Sequence, residues 1–461
     1  MKNITILGAG LVGSLLAIYL SDRGYKVEVY ERRPDPRKKG YIGGRSINLA
    51  LSDRGWQALA KAGIDAKIRE IAIPMNGRMM HDVQGNLTFQ AYGKDGQAIY
   101  SVSRALLNIE LINYAENQSD VRFYFNQKCI EVDLENKVIT LENTENGLTG
   151  QQSATEGEIY SITADFIFGS DGAFSPIRLA MQKTDRFNYS QTYLDYGYKE
   201  LTIPAAADGS HRLEKNALHI WPRGNFMLIA LPNTDGSFTC TLFLPYKGEP
   251  SFESVKTDKE AISFFQTYFP DIIPHIADVT EDFFTNPTSS LVMVKANPWI
   301  YKAEVALIGD AAHAIVPFYG QGMNAGFEDC YVLNEILEKN MDIWETSLQE
   351  YQESRLPDAD AICELALNNF VEMRDLVGDP KFLLRKKIEA KINELYPEKW
   401  IPLYSMVTFS PKSGVPPMRY SEALAMGKKQ DKIMAEIMQR PDIEATWQNL
   451  DFEEIVRKLV E

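Results

Sequence analysis

Cysteine is scarce in this chain: four in 461 residues, Cys129, Cys240, Cys330 and Cys363, with no C-x-x-C spacing. That argues against a dithiol redox centre, a cysteine-held zinc and a disulfide scaffold. Free, mostly buried thiols in a reducing cytoplasm are expected instead. Histidine is nearly as rare, at five, so no histidine-based metal site is expected. Basic charge is in deficit, with 48 Lys and Arg against 63 Asp and Glu and a net charge of −15. Nucleic acid and anionic membrane surfaces both demand a basic face and are not expected partners. One local arginine would still suffice for a small anionic substrate. Long apolar runs are missing too, none reaching the roughly 18 residues that a membrane span requires. What remains is an ordinary globular composition, 45% hydrophobic and 24% charged, long enough for about three folding units at roughly 150 residues each.

The first thirty residues carry the clearest signal. Ile4-Thr5-Ile6-Leu7 reads as a short buried strand, Gly8-Ala9-Gly10-Leu11-Val12-Gly13 follows at once, and Leu15, Leu16, Ile18, Tyr19 and Leu20 form a packed helix. Val27-Glu28-Val29-Tyr30 is a second strand that ends on Glu31. Strand, G-x-G-x-x-G, helix, strand and acid is the order of a dinucleotide fold. Gly8 permits the tight turn, Gly10 lets backbone amides approach a diphosphate, and Gly13 lets the helix lie close on the strand. The helix N-terminus supplies partial positive charge. Glu31 can accept both hydroxyls of an adenosine ribose and disfavours a 2′-phosphate, so FAD or NAD suits the site better than NADP.

Two later segments discriminate between these. Phe166-Ile167-Phe168-Gly169-Ser170-Asp171-Gly172 is a strand closing on an Asp-Gly turn. Val305-Ala306-Leu307-Ile308-Gly309-Asp310 is a strand closing on Gly-Asp, followed by Pro317-Phe318-Tyr319-Gly320-Gln321-Gly322-Met323-Asn324 and a helix with Phe327, Cys330, Leu333 and Leu337 inward. With the N-terminal glycine motif, this set resembles the class A flavoprotein monooxygenases, the aromatic hydroxylases of the para-hydroxybenzoate hydroxylase type. The resemblance implies a fold of the α/β class, with a Rossmann-type FAD-binding domain, an inserted β-sheet substrate domain and a C-terminal helical region. It implies bound FAD, NADPH as a transient co-substrate without a glycine motif of its own, and O2. NADPH would reduce the flavin, O2 would add to it at C4a, and one oxygen would pass to an aromatic ring. The FAD contacts it implies are Gly8, Gly10, Val12, Gly13, Glu31, Arg33, Ala50, Arg104, Asp310, Gly322, Met323 and Asn324. Asp310 would bind a ribityl or ribose hydroxyl, and Arg104, at a helix start after Ser103, would lie near the diphosphate. The start of the Gly320–Asn324 helix would face the pyrimidine edge of the isoalloxazine and stabilise negative charge on it. No acid–base dyad is required, and His313 reads as a packed residue after the Gly-Asp turn.

Further stretches, Gly44 through Leu51, Leu218-His219-Ile220-Trp221-Pro222, Ile229 through Asn233 and Tyr404-Ser405-Met406-Val407-Thr408-Phe409, are most similar to family members acting on an aromatic amino acid that bears a ring amine. The residues also point to a carboxylate. Gly77–Asp82 and Leu87–Gly93 read as two strands about Gln84-Gly85-Asn86, and a turn centred on Gly85 sets Arg78 directly opposite Tyr92. An arginine fork beside a phenol suits an amino-acid carboxylate. Sequence alone leaves a surface Arg–Tyr stack as an equal reading, and the resemblance favours the clamp. Asn369, Glu372 and Met373 share a face of a helix expected over about Asp358 to Asp375. The resemblance makes Asn369 and Tyr404 substrate contacts, with Glu372 and Phe318 beside them. Tyr319 has no assigned role. Residues 218–231 and 237–246 read as a strand pair roofing a flat ligand.

The expected division is 1–75, 100–180 and 290–355 for the FAD-binding domain, 76–99 and 181–289 for the substrate domain, and 356–461 for the C-terminal helical region. The polar segment Glu142–Glu158 reads as a hairpin tip. The chain's last residues, Ile455–Glu461, lack the apolar anchor of membrane-bound members, so a soluble, cytoplasmic bacterial form is expected, as a monomer or a homodimer. Other readings are a hydroxylase for a different aromatic acid, a non-catalytic escort module on the same nucleotide fold, and a plain NAD dehydrogenase.

Overall fold

The computed structural model of the chain describes residues 3–38, 48–93, 96–118, 120–144, 157–276, 278–372, 379–412 and 414–459. Its first strand, Asn3–Leu7, lies at the centre of a six-stranded sheet. Lys26–Tyr30 and Val121–Tyr124 pair in parallel on one side, and Phe166–Gly169 and Val305–Leu307 in parallel on the other. The short strand Ile300–Tyr301 closes one edge antiparallel. The central strands Asn3–Leu7, Phe166–Gly169 and Val305–Leu307 are buried along almost their whole length because helices cover the sheet. Leu15, Leu16, Ile18 and Leu20 of the Leu11–Asp22 helix, and Phe327, Cys330, Leu333 and Leu337 of the Gly322–Lys339 helix, are all buried against it. This is the expected dinucleotide-type core.

A seven-stranded sheet forms the second layer. Its order is Ser289–Asn297, Asn188–Ile203, Phe238–Pro245, Met227–Pro232, Leu218–Pro222, Gly77–His81 and Leu87–Ala91. Phe238, Cys240, Leu242 and Leu244 point into one core beneath the Asp258–Tyr268 helix, and Phe243 points into another. That is the face separation the alternation implied. The single strand expected over 218–231 is instead two. Leu218–Pro222 and Met227–Pro232 run antiparallel, turned by Gly224 at φ 74°, with Arg223 N–H donating to Phe226 at 2.9 Å. Both strands are buried, so the apolar pattern runs on through the turn and hides it.

The arginine hairpin is corrected by two residues of pairing register. Gly85 N–H donates to the Asp82 carbonyl at 3.2 Å, Gly85 itself is left-handed, and Asp82 N–H donates to Asn86 at 3.1 Å. This three-residue loop is centred on Gln84, not Gly85. Arg78 therefore pairs with Gln90, and Tyr92 lies diagonally beyond, with its N–H on the Asn76 carbonyl. The displacement is two residues along the strand, an even number, so Arg78 and Tyr92 still share a face.

A small antiparallel sheet, Asn48–Leu51, Ile99–Ser103 and Ala72–Met75, connects the two layers. The helix expected to begin at Asp358 runs from Trp344 to Val371 and passes through Pro357. The helix thus begins 14 residues before the expected start. Its expected end near Asp375, and Met373 with it, lie outside the described residues, as do Gly44 to Ile47. The expected tip at 142–158 has pairing stems, Val138–Asn143 against Ile159–Thr163, and residues 145–156 are outside the description. The last hundred residues are helical, with Pro380–Leu395, Leu403–Thr408 and Tyr420–Met438 as the main helices. Buried charges hold them to the nucleotide half. Arg54 pairs with Glu328 and donates to the carbonyls of Val407 and Met418, and Arg355 joins Glu328, Asp329 and Asp358. No helix among the described residues is long and apolar enough to cross a membrane.

Candidate active site

The glycine motif shows why each glycine is there. A Cβ on Gly13 would lie 2.0 Å from the Gly8 carbonyl oxygen and 2.4 Å from Ser170 Oγ, and one on Gly8, at φ 103°, 2.5 Å from the Ser170 carbonyl oxygen. Those two are demanded by the chain's own packing. A Cβ on Gly10 would meet nothing within 4 Å, and its φ of −74° is open to any residue. Nothing in the fold requires glycine there, so the open space is a cradle for something that is not protein. The Leu11–Asp22 helix begins at this point with no side-chain cap and no acid in its first turn. Two buried acceptors nearby, Asn108 Oδ1 and Asp171 Oδ1, have no hydrogen-bond partner. Asn108 is fixed by donating to the Ala9 carbonyl at 3.1 Å. Burial raises Asp171 to about 6. Glu31 spans the loop, accepting the N–H of Ala9 at 3.0 Å and of Arg33 at 2.9 Å. Uncapped amides, open space at Gly10, an acid at the strand end and orphaned acceptors fit a dinucleotide.

A second helix start faces the same region. Gly322–Lys339 also lacks a side-chain cap and a first-turn acid. Val12 touches it: a Cβ on Gly326 would be 2.5 Å from Val12 Cγ2, and one on Gly309 3.1 Å. The Val12 side chain is therefore a wedge between the two glycines, which leaves its backbone as the part available to a ligand. Asn324 is fully buried, and its amide donates to the carbonyls of Ala50 and Gly320 at 2.9 Å while accepting the Ser52 N–H at 2.9 Å. Its side chain fixes the loop around Ala50 to the helix start, so at Gly322, Met323 and Asn324 the uncapped backbone amides are the groups left for a ligand.

Asp310 follows Gly309, which is left-handed at φ 61°. Its side chain is exposed, and the protein packed around it raises its pKa while Arg104 and His313 oppose the rise. Arg104 thus lies within electrostatic reach of Asp310, at the first position of the Arg104–Glu116 helix, whose Ser103 cap accepts from Leu106. Below the turn, Asp329 accepts the Gly309 N–H at 3.3 Å, His313 Nε2 at 2.6 Å and Arg355 Nε at 2.8 Å. Burial would raise Asp329, but His313 and Arg355 outweigh it and hold it at about 2. His313 is a packed structural partner, as expected. Arg33 is exposed.

The substrate-side residues gather around Arg78. Its guanidinium lies 4.4 Å from the Tyr404 ring centroid and 5.6 Å from that of Tyr92. Tyr92 and Tyr404 stack at 5.5 Å, and Tyr404 and Tyr319 at 5.7 Å. Phe409, which sequence reasoning missed as a site residue, flanks Tyr92 at 6.0 Å. Among the described residues Arg78 has no acidic partner, and its Nε and the Tyr92 hydroxyl are buried without hydrogen bonds. Burial disfavours the Arg78 cation, but the phenols of Tyr404 and Tyr92 favour it and its pKa is raised. Burial drives Tyr92 well above the ordinary phenol range. Ala50 packs in the same cluster as Tyr92 and Tyr404, and a Cβ on Gly320 would be 3.4 Å from the Ala50 Cβ. The arginine group and the second helix start therefore share a wall.

Asn369 and Phe318 form an adjoining group. Asn369 donates to the Phe318 carbonyl at 2.7 Å, and the Phe318 ring packs on Phe370 at 4.4 Å and Phe243 at 5.0 Å. Phe370 carried no signal in sequence beyond helical spacing. Glu372 lies 3.4 Å from Lys386 and raises Tyr319 electrostatically, after burial and Tyr404. Elsewhere a cavity of about 390 Å³ lies between Asn48, Ser101 and Ser103 on one side and Thr202, Asn233 and Thr239 on the other. It contains none of the sequence-predicted site residues.

Comparison with known proteins gives the same outline. Residues 1–366 match the FAD_binding_3 family, described as an FAD binding domain. The chain is 52% identical over 459 residues to a kynurenine 3-monooxygenase of Christiangramia forsetii, covering 100% of this chain and 99% of that one. It is 52% identical, with the same coverage, to one from Flavobacterium johnsoniae. Among solved structures it is similar to the tetrameric form of 2-methyl-3-hydroxypyridine-5-carboxylic acid oxygenase, with a TM-score of 0.65, 20% identity and coverage of 82% and 94% of the two chains. That likeness concerns the fold. Identity of this extent along the whole chain, on a fold whose glycine cradle and two bare helix starts fit a flavin dinucleotide, means that the chain belongs to the kynurenine 3-monooxygenase family of FAD-binding proteins.

Proposed function

We propose that this chain hydroxylates L-kynurenine to 3-hydroxykynurenine, with FAD bound, NADPH as transient reductant and O2 as oxidant, on the route from tryptophan towards pyridine nucleotides. Bound FAD supplies the electron relay from NADPH and the activation of O2, one atom of which enters the ring while the other leaves as water. The protein's share is binding, orientation and exclusion of water.

One observation carries the substrate assignment: an arginine beside two stacked tyrosine rings, with no acidic partner among the described residues. A charge in such a place calls for an anionic partner, and a planar fork beside a phenol donor matches an amino-acid carboxylate. Arg78 and Tyr92 are the proposed clamp, with Tyr404 and Phe318 against the arene and Asn369 and Glu372 at its margin. On the cofactor side, the amides after Gly8 and Gly10, from Val12 and Gly13, take the diphosphate, with Arg104 and Arg33 nearby. Glu31 takes the adenosine ribose and Asp310 a ribityl or ribose hydroxyl. Ala50 with the backbone of Gly322, Met323 and Asn324 borders the isoalloxazine. We place the FAD-binding domain at 1–75, 100–180 and 290–355, the substrate domain at 76–99 and 181–289, and the helical region at 356–461, in a cytoplasmic enzyme whose four cysteines are free.

The purified holoprotein tests this directly. Its flavin absorbance should bleach under anaerobic NADPH faster with kynurenine present than without it, and readmitted air should yield 3-hydroxykynurenine. A colourless protein, or hydroxylation of phenolic acids in preference to kynurenine, refutes the proposal.

A further inference from the structure

The strand that carries Arg78 is weakly attached. The Gly77–His81 and Leu87–Ala91 hairpin lies at the edge of the seven-stranded sheet, with every residue of the outer strand exposed. Its ladder to the rest of the sheet is three residue pairs, Arg78 with Leu218, Met79 with His219 and Met80 with Ile220. A binding arginine on so short a ladder needs another restraint.

A buried chain of side chains supplies one from the opposite face of the sheet. His81 Nδ1 lies 2.7 Å from Asp271 Oδ2, and His81 Nε2 lies 2.9 Å from His219 Nδ1. His219 Nε2 lies 2.8 Å from the Glu214 carbonyl, and Trp221 Nε1 donates to Asp271 Oδ2 at 2.8 Å. His81 is 2% exposed and His219 1%. The His81 ring stacks on Trp221 at 3.9 Å. Donor and acceptor parity assigns the protons. A carbonyl only accepts, so His219 Nε2 carries hydrogen. Burial keeps His219 neutral by lowering its pKa to about 4, so its Nδ1 accepts and His81 Nε2 carries hydrogen. Asp271, also held low despite its burial by His81 and Trp221, accepts from His81 Nδ1. Both His81 ring nitrogens then serve as donors, Nδ1 to Asp271 and Nε2 to His219. Arg223 adds two donors to the same corner, to the carbonyls of His81 at 2.9 Å and Asp82 at 3.0 Å.

We infer that His81, bridging Asp271 and His219, is a positioning residue for substrate binding, because it fixes the register and tilt of the strand from which Arg78 reaches the substrate carboxylate. The inference rests on the reading of Arg78 as the carboxylate clamp. His81 touches no ligand and acts through three residues of backbone, with His81 and Arg78 on opposite faces.

The test uses the holoenzyme with His81→Phe, which keeps a ring on Trp221 and loses both hydrogen bonds, and with Asp271→Asn as the second variant. Both should retain FAD. For His81→Phe the KM for L-kynurenine should rise about tenfold with kcat within about twofold, because a displaced clamp loses binding rather than chemistry. Asp271→Asn should show the same split at about threefold. Affinity for the decarboxylated analogue kynurenamine, read from the flavin absorbance change, should not alter. His81→Gln should restore part of the loss. In an Arg78→Ala background, His81→Phe should add nothing further to KM. Additive effects, or equal weakening for kynurenine and kynurenamine, overturn the inference while leaving the clamp intact. A wild-type enzyme that binds the two ligands equally well overturns the clamp reading itself, and the inference with it.

Discussion

Replacing Arg78 by Met removes the charge and keeps most of the side-chain volume beside Tyr92 and Tyr404. The guanidinium lies 4.4 Å from one ring and 5.6 Å from the other and has no acidic partner among the described residues. The apoprotein therefore loses little: the two cation–π contacts are together of the order of 1–2 kcal/mol, offset by relief from holding an unpaired cation. The liganded protein loses a bidentate, partly desolvated ion pair. Such truncations are of the order of 2–5 kcal/mol, and the lower part of that range applies because Arg78 is only half-buried, which gives about 2–4 kcal/mol and roughly 30- to 700-fold weaker kynurenine binding. The assay is equilibrium titration of kynurenine into the oxidised holoenzyme, followed by flavin absorbance, alongside thermal unfolding of the apoprotein. The expected result is a large rise in Kd, unchanged FAD content and an apoprotein midpoint within a few degrees of wild type. A variant that loses flavin, or whose Kd moves less than threefold, refutes the assignment.

The glycine motif separates into two predictions. Gly13→Ala should destabilise the apoprotein by about 2–3 kcal/mol or more, because its Cβ would sit 2.0 Å from a backbone oxygen. Gly10→Ala should leave the apoprotein within about 0.5 kcal/mol of wild type yet weaken FAD binding at least tenfold, and FAD titration with thermal unfolding distinguishes the two. Asp329, held at about 2 in the fold, should contribute stability that is fully present above pH 4 and lost as pH falls towards 2. That amounts to about 2 kcal/mol, and denaturant titration of Asp329→Asn should lack that acid limb. Asp171, raised to about 6 by burial, has the opposite sign: its charging lowers apoprotein stability as pH rises from about 4 to 6. Asp171→Asn should therefore gain about 2–3 kcal/mol relative to wild type between pH 4 and 7, and a pH-independent difference would contradict it.

The nucleotide half was legible because each of its signals is local. Strand, glycine turn, helix and acid occupy one continuous run, and the buried faces of the first and Gly322–Lys339 helices follow helical spacing read directly from the residues. The misreadings have one physical origin, which is that turns and breaks inside buried segments leave the apolar pattern intact. Residues 218–231 looked like one strand because both arms of the Arg223–Asn225 turn are core. The long helix extends upstream through Pro357 because Trp344, Leu348 and Tyr351 pack into the core. The arginine hairpin slipped because glycine marked the turn but not its centre, and Asp82, which ties off the loop by accepting from Gln84 and Asn86, sets the centre at Gln84. The even slip spared the face, so the clamp pair survived the wrong register.

What sequence could not show about the site is a set of absences. Arg54, Arg355 and Arg78 are equivalent letters, yet Arg54 meets Glu328, and Arg355 meets Glu328, Asp329 and Asp358. Among the described residues Arg78 meets only phenols. The two helix starts at Gly10 and Gln321 likewise differ from that at Thr257, which carries a full capping box, because they have neither cap nor first-turn acid. A carboxylate near Arg78 would compete with the substrate, and a capping side chain at either helix would occupy the amides a diphosphate or a flavin ring needs. The chain has acid to spare, with 63 Asp and Glu, so their absence at these three points is not a matter of supply. Positive potential left unneutralised in a net-negative protein marks where anions bind, and only folding reveals which residues have been left without partners.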